Sequence, residues 1–247
     1  MSVRNTSIHN PEIYDLRLSG RAADLGFYAE NALAAAGPVL ELCCGTGRIT
    51  IALAQRGVCV TALDKAQPML ERAREKAAAA GVSVEWILGD AASFALDRSF
   101  PLVLLPFGAL QLFVLEAQVR SLFECIRTHL QHSGLLILDV PHVTQHAVDG
   151  RQPGGQYRDP ESGELVTVEW DIVYDEARQV THQTCYFSTA DHTNFATDHL
   201  EMRWYFPEAL DLLVRRSGFR IVEKLGHFDG RPFSRDCPLQ IIIATPA

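Results

Sequence analysis

Three carboxylates and a pair of glycines are the residues here whose types and spacing could do chemistry. Glu41, Gly45 and Gly47 stand in Val-Leu-Glu-Leu-Cys-Cys-Gly-Thr-Gly-Arg-Ile-Thr at 39–50, while Asp64 and Asp90 close two later apolar runs. Glycines in a turn allow positive φ and let a ligand approach the backbone with no Cβ in the way. A carboxylate ending a neighbouring strand can accept hydrogen bonds from both hydroxyls of a ribose, a contact that neutral side chains reproduce poorly. Asp64 follows Gly47 by 17 residues, the span of a helix and a strand. The chemistry so indicated is the holding of a small molecule outside the carboxyl ends of parallel strands, where open α/β sheets bind ligands.

The elements that must position these groups follow from periodicity. Val39, Leu40 and Leu42 read as a buried strand, and Ile49, Ala52 and Leu53 recur at helical spacing over 48–56. Further apolar, strand-like runs occupy 58–63, 82–88, 100–105 and 135–140. Helical patterns at 69–80 and 116–131 separate them, with Pro68 suited to a helix start and Gly81 to its end. Five strands alternating with helices predict an α/β, doubly wound parallel sheet. Upstream, 11–36 reads as two helices punctuated by Gly20 and closed by Gly37-Pro38, after a polar and loose 1–10. Over 150–206 helical periodicity gives way to alternation with turn signals, predicting a three-stranded antiparallel meander at 164–174, 178–188 and 195–206. A helix at 207–217 and strands at 219–226 and 239–245 complete the chain. The expected organisation is an N-terminal helical cap at 1–36, a core at 37–149, an inserted lid or dimerisation sheet at 150–206, and a C-terminal return to the core at 207–247.

Glu41-x-Cys43-x-Gly45-x-Gly47 resembles the acid-x-Gly-x-Gly-x-Gly signature of class I S-adenosylmethionine-dependent methyltransferases, with Cys43 replacing the first glycine. Gly89-Asp90-Ala-Ala-Ser-Phe94 is similar to the family's Gly-Asp-x-x-x-Phe form. Pro106-Phe-Gly-Ala-Leu-Gln111 and Phe228-Asp-Gly-Arg-Pro-Phe233 resemble segments of a bacterial small-molecule subgroup that includes amino-sugar and glycine-type N-methyltransferases. The resemblance implies a Rossmann-like, seven-stranded sheet in the order 3-2-1-4-5-7-6 with the last strand antiparallel. It implies S-adenosyl-L-methionine as cofactor, held by Tyr14, Glu41, Cys43, Gly45, Gly47, Asp64, Lys65, Met69, Asp90, Ala91 and Pro106. Within the subgroup segment, Gly108 replaces an asparagine, and Leu112 stands where histidine is common.

Methyl transfer from a sulfonium is an in-line displacement with dispersed charge. Holding nucleophile and methyl in line in a dry site supplies ~7–11 kcal/mol of the barrier reduction. A base helps only where the acceptor must lose a proton. His142, two residues beyond the fifth strand, is the best-placed base or acceptor contact, with Tyr14 beside it as a candidate catalytic residue. Phe107, Gln111, His142, Arg203, Phe228 and Phe233 form the expected acceptor-binding set. His142 and His146 would share a helix face near Asp139 and Asp149, which a metal could use, but no further ligand pair closes the shell and no metal is assigned. The expected activity is methyl transfer to a small-molecule acceptor, nitrogen ahead of oxygen. Rival readings are an NAD-dependent oxidoreductase, from Gly45-x-Gly47 and Asp64, and a non-catalytic binding relative.

Bulk properties bound the rest. At 247 residues with 47% apolar composition, the chain is long enough for one large core and a satellite. A formal charge of −8 without a basic run argues against nucleic acid as a partner. No apolar stretch approaches the ~20 residues that span a bilayer, and no signal-like start is present. Six cysteines without a CxxC pair or regular framework fit reduced thiols in a cytoplasmic protein. The expected state is a monomer, or a homodimer through the inserted sheet.

Overall fold

The computed structural model describes residues 10–18, 20–142, 149–159, 162–194 and 196–247. The expectation for 1–10 therefore falls almost wholly outside the described residues, as does that for His146. In chain order the elements are α1 (Pro11–Arg17), α2 (Leu25–Ala34), β1 (Val39–Leu42), α3 (Arg48–Ala54), β2 (Val60–Asp64), α4 (Gln67–Ala79), β3 (Glu85–Leu88) and β4 (Phe100–Leu105). A 3-10 turn (Ala109–Leu112), α5 (Glu116–His129), β5 (Leu130–Pro141), β6 (Gly150–Arg158), β7 (Leu165–Asp175), β8 (Val180–Ser188) and β9 (Ala196–Arg203) follow. The chain ends with α6 (Pro207–Arg216), β10 (Phe219–Leu225) and β11 (Leu239–Pro246). Two compact units result, one of 21–144 with 205–247, the other of 1–20 with 145–204.

The larger unit is a seven-stranded sheet in the order β10-β11-β5-β4-β1-β2-β3. β1 to β5 run parallel, and β11 is antiparallel to both its neighbours. This is the 3-2-1-4-5-7-6 order with the last strand reversed. β1 lies between β2 and β4 and is buried at all four positions, which is why Val39, Leu40 and Leu42 show no alternation and the one polar residue, Glu41, is buried with them. One face of the sheet packs Leu136, Leu138, Val140 and Ile242 against Leu122 and Ile126 of α5 and Leu210 and Val214 of α6. The other packs Leu102, Leu104, Ile137 and Ile241 against Phe27 and Tyr28 of α2 and Ile49 and Leu53 of α3. Each such side chain contributes about 1.5–3 kcal/mol by leaving water. Parallel pairing sets Leu42 opposite Leu63 and Asp64 opposite Leu88, so the segments after β1, β2 and β3 emerge together at one edge.

The second unit is a four-stranded antiparallel sheet in the order β6-β7-β8-β9, with one face packing Val166, Val168, Cys185 and Phe187 under Ile13 of α1. The three-stranded expectation missed β6. Its sequence, Gly-Arg-Gln-Pro-Gly-Gly-Gln-Tyr-Arg, lacks apolar alternation, and Pro153 suits an edge strand, where a bulge falls between Pro153 and Gly155. A Cβ on Gly154 would come within 2.6 Å of Trp170 Nε1, so the glycine that obscures the strand makes room for the tryptophan of β7. α1 belongs with this sheet rather than with α2.

Candidate functional site

The turn after β1 carries three left-handed residues, Cys43 (φ 57°), Gly45 (φ 55°) and Gly47 (φ 76°). Cys44 N–H donates to Leu63 O at 3.0 Å and Gly47 N–H to Cys44 O at 3.0 Å, so the turn is latched to β2 before α3 begins. A Cβ on Gly47 would lie 2.7 Å from Trp86 Cη2, so close packing on β3 demands this glycine as much as backbone geometry does. Cys43 holds a conformation that costs a non-glycine residue on the order of 1–2 kcal/mol. Burial pushes its thiol up to about 12; Asp64, Asp90 and Glu41 push the same way, with Lys65 opposing. The thiol is therefore protonated and inert at neutral pH. Of the residues expected at the cofactor, Glu41, Asp64, Lys65 and Asp90 thus act electrostatically on this turn.

Asp64, at the end of β2, is nearly buried. Its Oδ2 accepts the Gly45 N–H at 2.7 Å and its Oδ1 the Ala66 N–H at 2.9 Å. A carboxylate offers about four acceptor positions, so two backbone donors leave room for a diol. Lys65 is exposed beside it, and Met69 is buried on α4. Beyond β3, Asp90 is exposed and its Oδ1 accepts the Ala92 N–H at 2.8 Å, with Ala91 buried. Pro106 is buried where β4 ends.

Glu41 faces inward within β1. It is 2% exposed and accepts the Thr50 hydroxyl at 2.5 Å. Burial raises its carboxyl to about 8, against the Thr50 hydrogen bond and Arg48, which lower it. Glu41 thus braces the start of α3 from below, and Thr50, at the position of a third glycine in a dinucleotide fingerprint, is its partner. Arg48 makes a two-pronged pair with the buried Asp24, at 2.7 and 2.5 Å.

The segment after β4 was expected to face the acceptor. Its Phe107 and Gly108 are consecutive left-handed residues, at φ 60° and 67°. Asparagine tolerates that region better than most residues, so Gly108 conserves the backbone where it lacks the side chain. Asp139 of β5 holds the step: its Oδ1 accepts the Phe107 N–H at 2.7 Å, and its carbonyl accepts the Gly108 N–H at 3.1 Å. The hydroxyl of the fully buried Tyr28 donates to the same Oδ1. Arg21 and Arg48 guanidinium groups lie 4.5 and 5.6 Å from the Phe107 ring centroid. Sequence reasoning missed this group, since 111 residues separate Tyr28 from Asp139 and only the Phe-Gly pair marks a left-handed turn.

His142 lies just past β5. Its Nδ1 is 2.7 Å from Cys237 O, and its backbone N–H donates to Pro238 O at 2.8 Å. A carbonyl only accepts, so Nδ1 carries the proton and Nε2 is left as the basic nitrogen of the neutral ring. Phe233 packs edge-on to the imidazole at 5.0 Å, with Lys224 Nζ 4.6 Å from the Phe233 centroid. Gln111 is buried in the 3-10 turn. Phe228 is half-buried and packs on Phe27 and Tyr28, at 5.6 and 5.9 Å, against the core on the α2 face. Tyr14, on α1, and Arg203, ending β9, belong to the second unit. Among the described residues no cluster of three or more His, Cys, Asp or Glu could hold a metal.

A nucleoside with a cationic sulfonium fits these residues: a positive-φ turn after β1, with the carboxylates of Asp64 and Asp90 at the ends of the next two strands of the sheet. Residues 39–134 match a methyltransferase domain family. The cypemycin N-terminal methyltransferase of Streptomyces sp is 24% identical over 204 residues, covering 79% of this chain and 78% of that protein. A protein of Geobacillus sp. (strain WCH70), named for a methyltransferase, is 32% identical over 116 residues, 44% of this chain. The matched stretch spans about half of that relative, 47% of its length. The crystal structure of an S-adenosylmethionine-dependent methyltransferase from Clostridium acetobutylicum ATCC 824 superposes with a TM-score of 0.79 at 18% identity, over 96% of this chain and 97% of that one.

Proposed function

We propose that this chain, a class I S-adenosylmethionine-dependent methyltransferase by its fold and by its domain at residues 39–134, transfers a methyl group to a nitrogen of a small molecule. S-Adenosylmethionine, when bound, supplies an electrophilic methyl on a sulfonium that leaves as a neutral thioether. The chain's part is to bind, align and dehydrate. Asp64 takes the ribose hydroxyls, Asp90 and the Ala91 backbone the adenine edge, and the turn at 43–47 the methionyl end. Phe107, Gln111 and Phe233 wall the acceptor subsite. His142 Nε2 receives the proton that an ammonium acceptor must shed before its lone pair can attack. Nitrogen is favoured over oxygen because the relative aligned over most of the chain is named for an N-terminal methyltransferase. No nucleic-acid partner and a cytoplasmic setting belong to the same reading.

The observation that carries it is Asp64, held by two backbone N–H groups at the mouth of the glycine turn with lone pairs to spare. Calorimetric titration with S-adenosylhomocysteine tests it. Asp64→Ala loses charge-assisted hydrogen bonds worth about 1.5–3 kcal/mol, or roughly 10–150-fold in affinity. Unchanged affinity, or binding of NAD in place of S-adenosylhomocysteine, overturns the reading. A screen of amines, phenols and carboxylates for S-adenosylhomocysteine release then identifies the acceptor.

A further inference from the structure

α2 reaches two loops of the site from one of its faces. Asp24, just before its first turn, holds Arg48 at the start of α3, directly after the glycine turn. Tyr28, whose N–H donates to Asp24 O, holds Asp139, and Asp139 holds Phe107. Arg48 lies over the Phe107 ring and closes the circuit. Phe107 and Gly108 both sit in a left-handed backbone, a conformation that persists only where its surroundings fix it. Both of their N–H groups end on Asp139, one on the side chain and one on the carbonyl. Nothing about methyl transfer requires a carboxylate at the buried end of β5 for chemistry, and burial acts against its charge. Its contacts explain its presence.

We propose that Asp139 is a positioning residue for methyl transfer, a buried acceptor that fixes the Phe107–Gly108 step and thereby sets the wall of the acceptor subsite from α2. That the wall faces an acceptor rests on the function proposed above; that Asp139 fixes the step does not. Hydrogen–deuterium exchange of the full chain without ligand separates the two. In Asp139→Ala, exchange at the Phe107 amide, which loses its acceptor, rises by about tenfold or more, exchange at Gly108, whose backbone acceptor remains, rises less, and peptides from β1, β4 and α5 exchange as in the wild type. Asp139→Asn keeps an oxygen acceptor and restores protection to within about threefold, a rescue that a mere demand for a buried acid would not show. Tyr28→Phe, which leaves the Phe107 contact in place, gives an intermediate increase confined to the same segment.

The proposal is overturned if exchange at 107–108 is unchanged in Asp139→Ala, or if protection falls evenly across the sheet. It is equally overturned if Asp139→Asn fares no better than Asp139→Ala. S-Adenosylhomocysteine titration of Asp139→Asn serves as the second arm. Affinity within about threefold of wild type is expected, because the residue acts on the acceptor wall. A loss as large as that of Asp64→Ala would place Asp139 in the cofactor site instead and sink the assignment. Should neither wild type nor Asp139→Asn bind the nucleoside, the methyltransferase reading fails while the exchange result stands.

Discussion

A carboxyl group in the middle of a central strand is an unusual tenant, and Glu41 shows how such a group is accommodated. Burial disfavours its charged form, and one hydroxyl from Thr50 offsets only part of that cost, leaving the group at about 8 when folded against an ordinary 4.5. The sign follows directly. Between those two values the folded chain binds a proton that the unfolded chain does not, so stability falls as pH rises from about 4.5 toward 8. The full shift corresponds to about 5 kcal/mol. Glu41→Gln removes the titration while keeping an oxygen for Thr50. Urea unfolding at pH 5.5 and 8.5 should therefore show a steep loss in the wild type and a flatter profile in the variant, which becomes the more stable of the two at the higher pH. Parallel profiles would mean that Glu41 is already ionised in the folded chain.

At the scale of elements, the loop between β10 and β11 is tied down along its base. An isolated bridge joins Leu225 to Pro232, Gly226 N–H donates to Arg231 O at 2.9 Å, and Phe233 N–H donates to Lys224 O at 3.0 Å. Cys237 then folds back on the loop's base, its Sγ accepting from Ser234 N–H at 3.3 Å, and its carbonyl fixes the His142 ring. A Cβ on Gly226 would stand 2.2 Å from Cys237 Sγ, so Gly226→Ala must push Cys237 aside and release His142. We expect a stability loss of about 1–3 kcal/mol and a fall in turnover with cofactor affinity kept, largely recovered in the Gly226→Ala/Cys237→Gly double variant. An equal loss of cofactor affinity would show that the loop serves the nucleoside. The sequence marked this loop by its Phe-Asp-Gly-Arg-Pro-Phe run but not the packing of Phe233 on His142, which joins residues far apart in the chain. It could not mark the packing of Phe228 on Phe27 and Tyr28, whose partners lie far away in the sequence.

Across the whole molecule, what was legible followed the range of the interactions involved. The parallel sheet could be read because its central strands are buried on both faces and mostly apolar, and their alternation with helices leaves few arrangements. β6 was hidden because an edge strand needs neither alternation nor a side chain at Gly154. The cofactor side of the site was written as a local motif; the Asp24–Arg48 and Tyr28–Asp139 contacts join residues distant in sequence and have no local signature. Charge is the global property with a consequence still open to measurement. A net −8 repels polyanions, while the site proposed here admits a nucleoside carrying no phosphate. Thermal unfolding in about 50 mM salt, where phosphate-tracking contacts are strong, separates these cases. S-Adenosylhomocysteine at about 100 times its dissociation constant stabilises the folded chain by roughly 2.7 kcal/mol, a rise of about 5–10 °C for a chain of this length. Duplex DNA and NAD at matched concentration should leave the transition where it was. A shift with DNA would reveal a cationic surface that the overall charge conceals, and a shift with NAD alone would return the glycine turn to the dinucleotide reading.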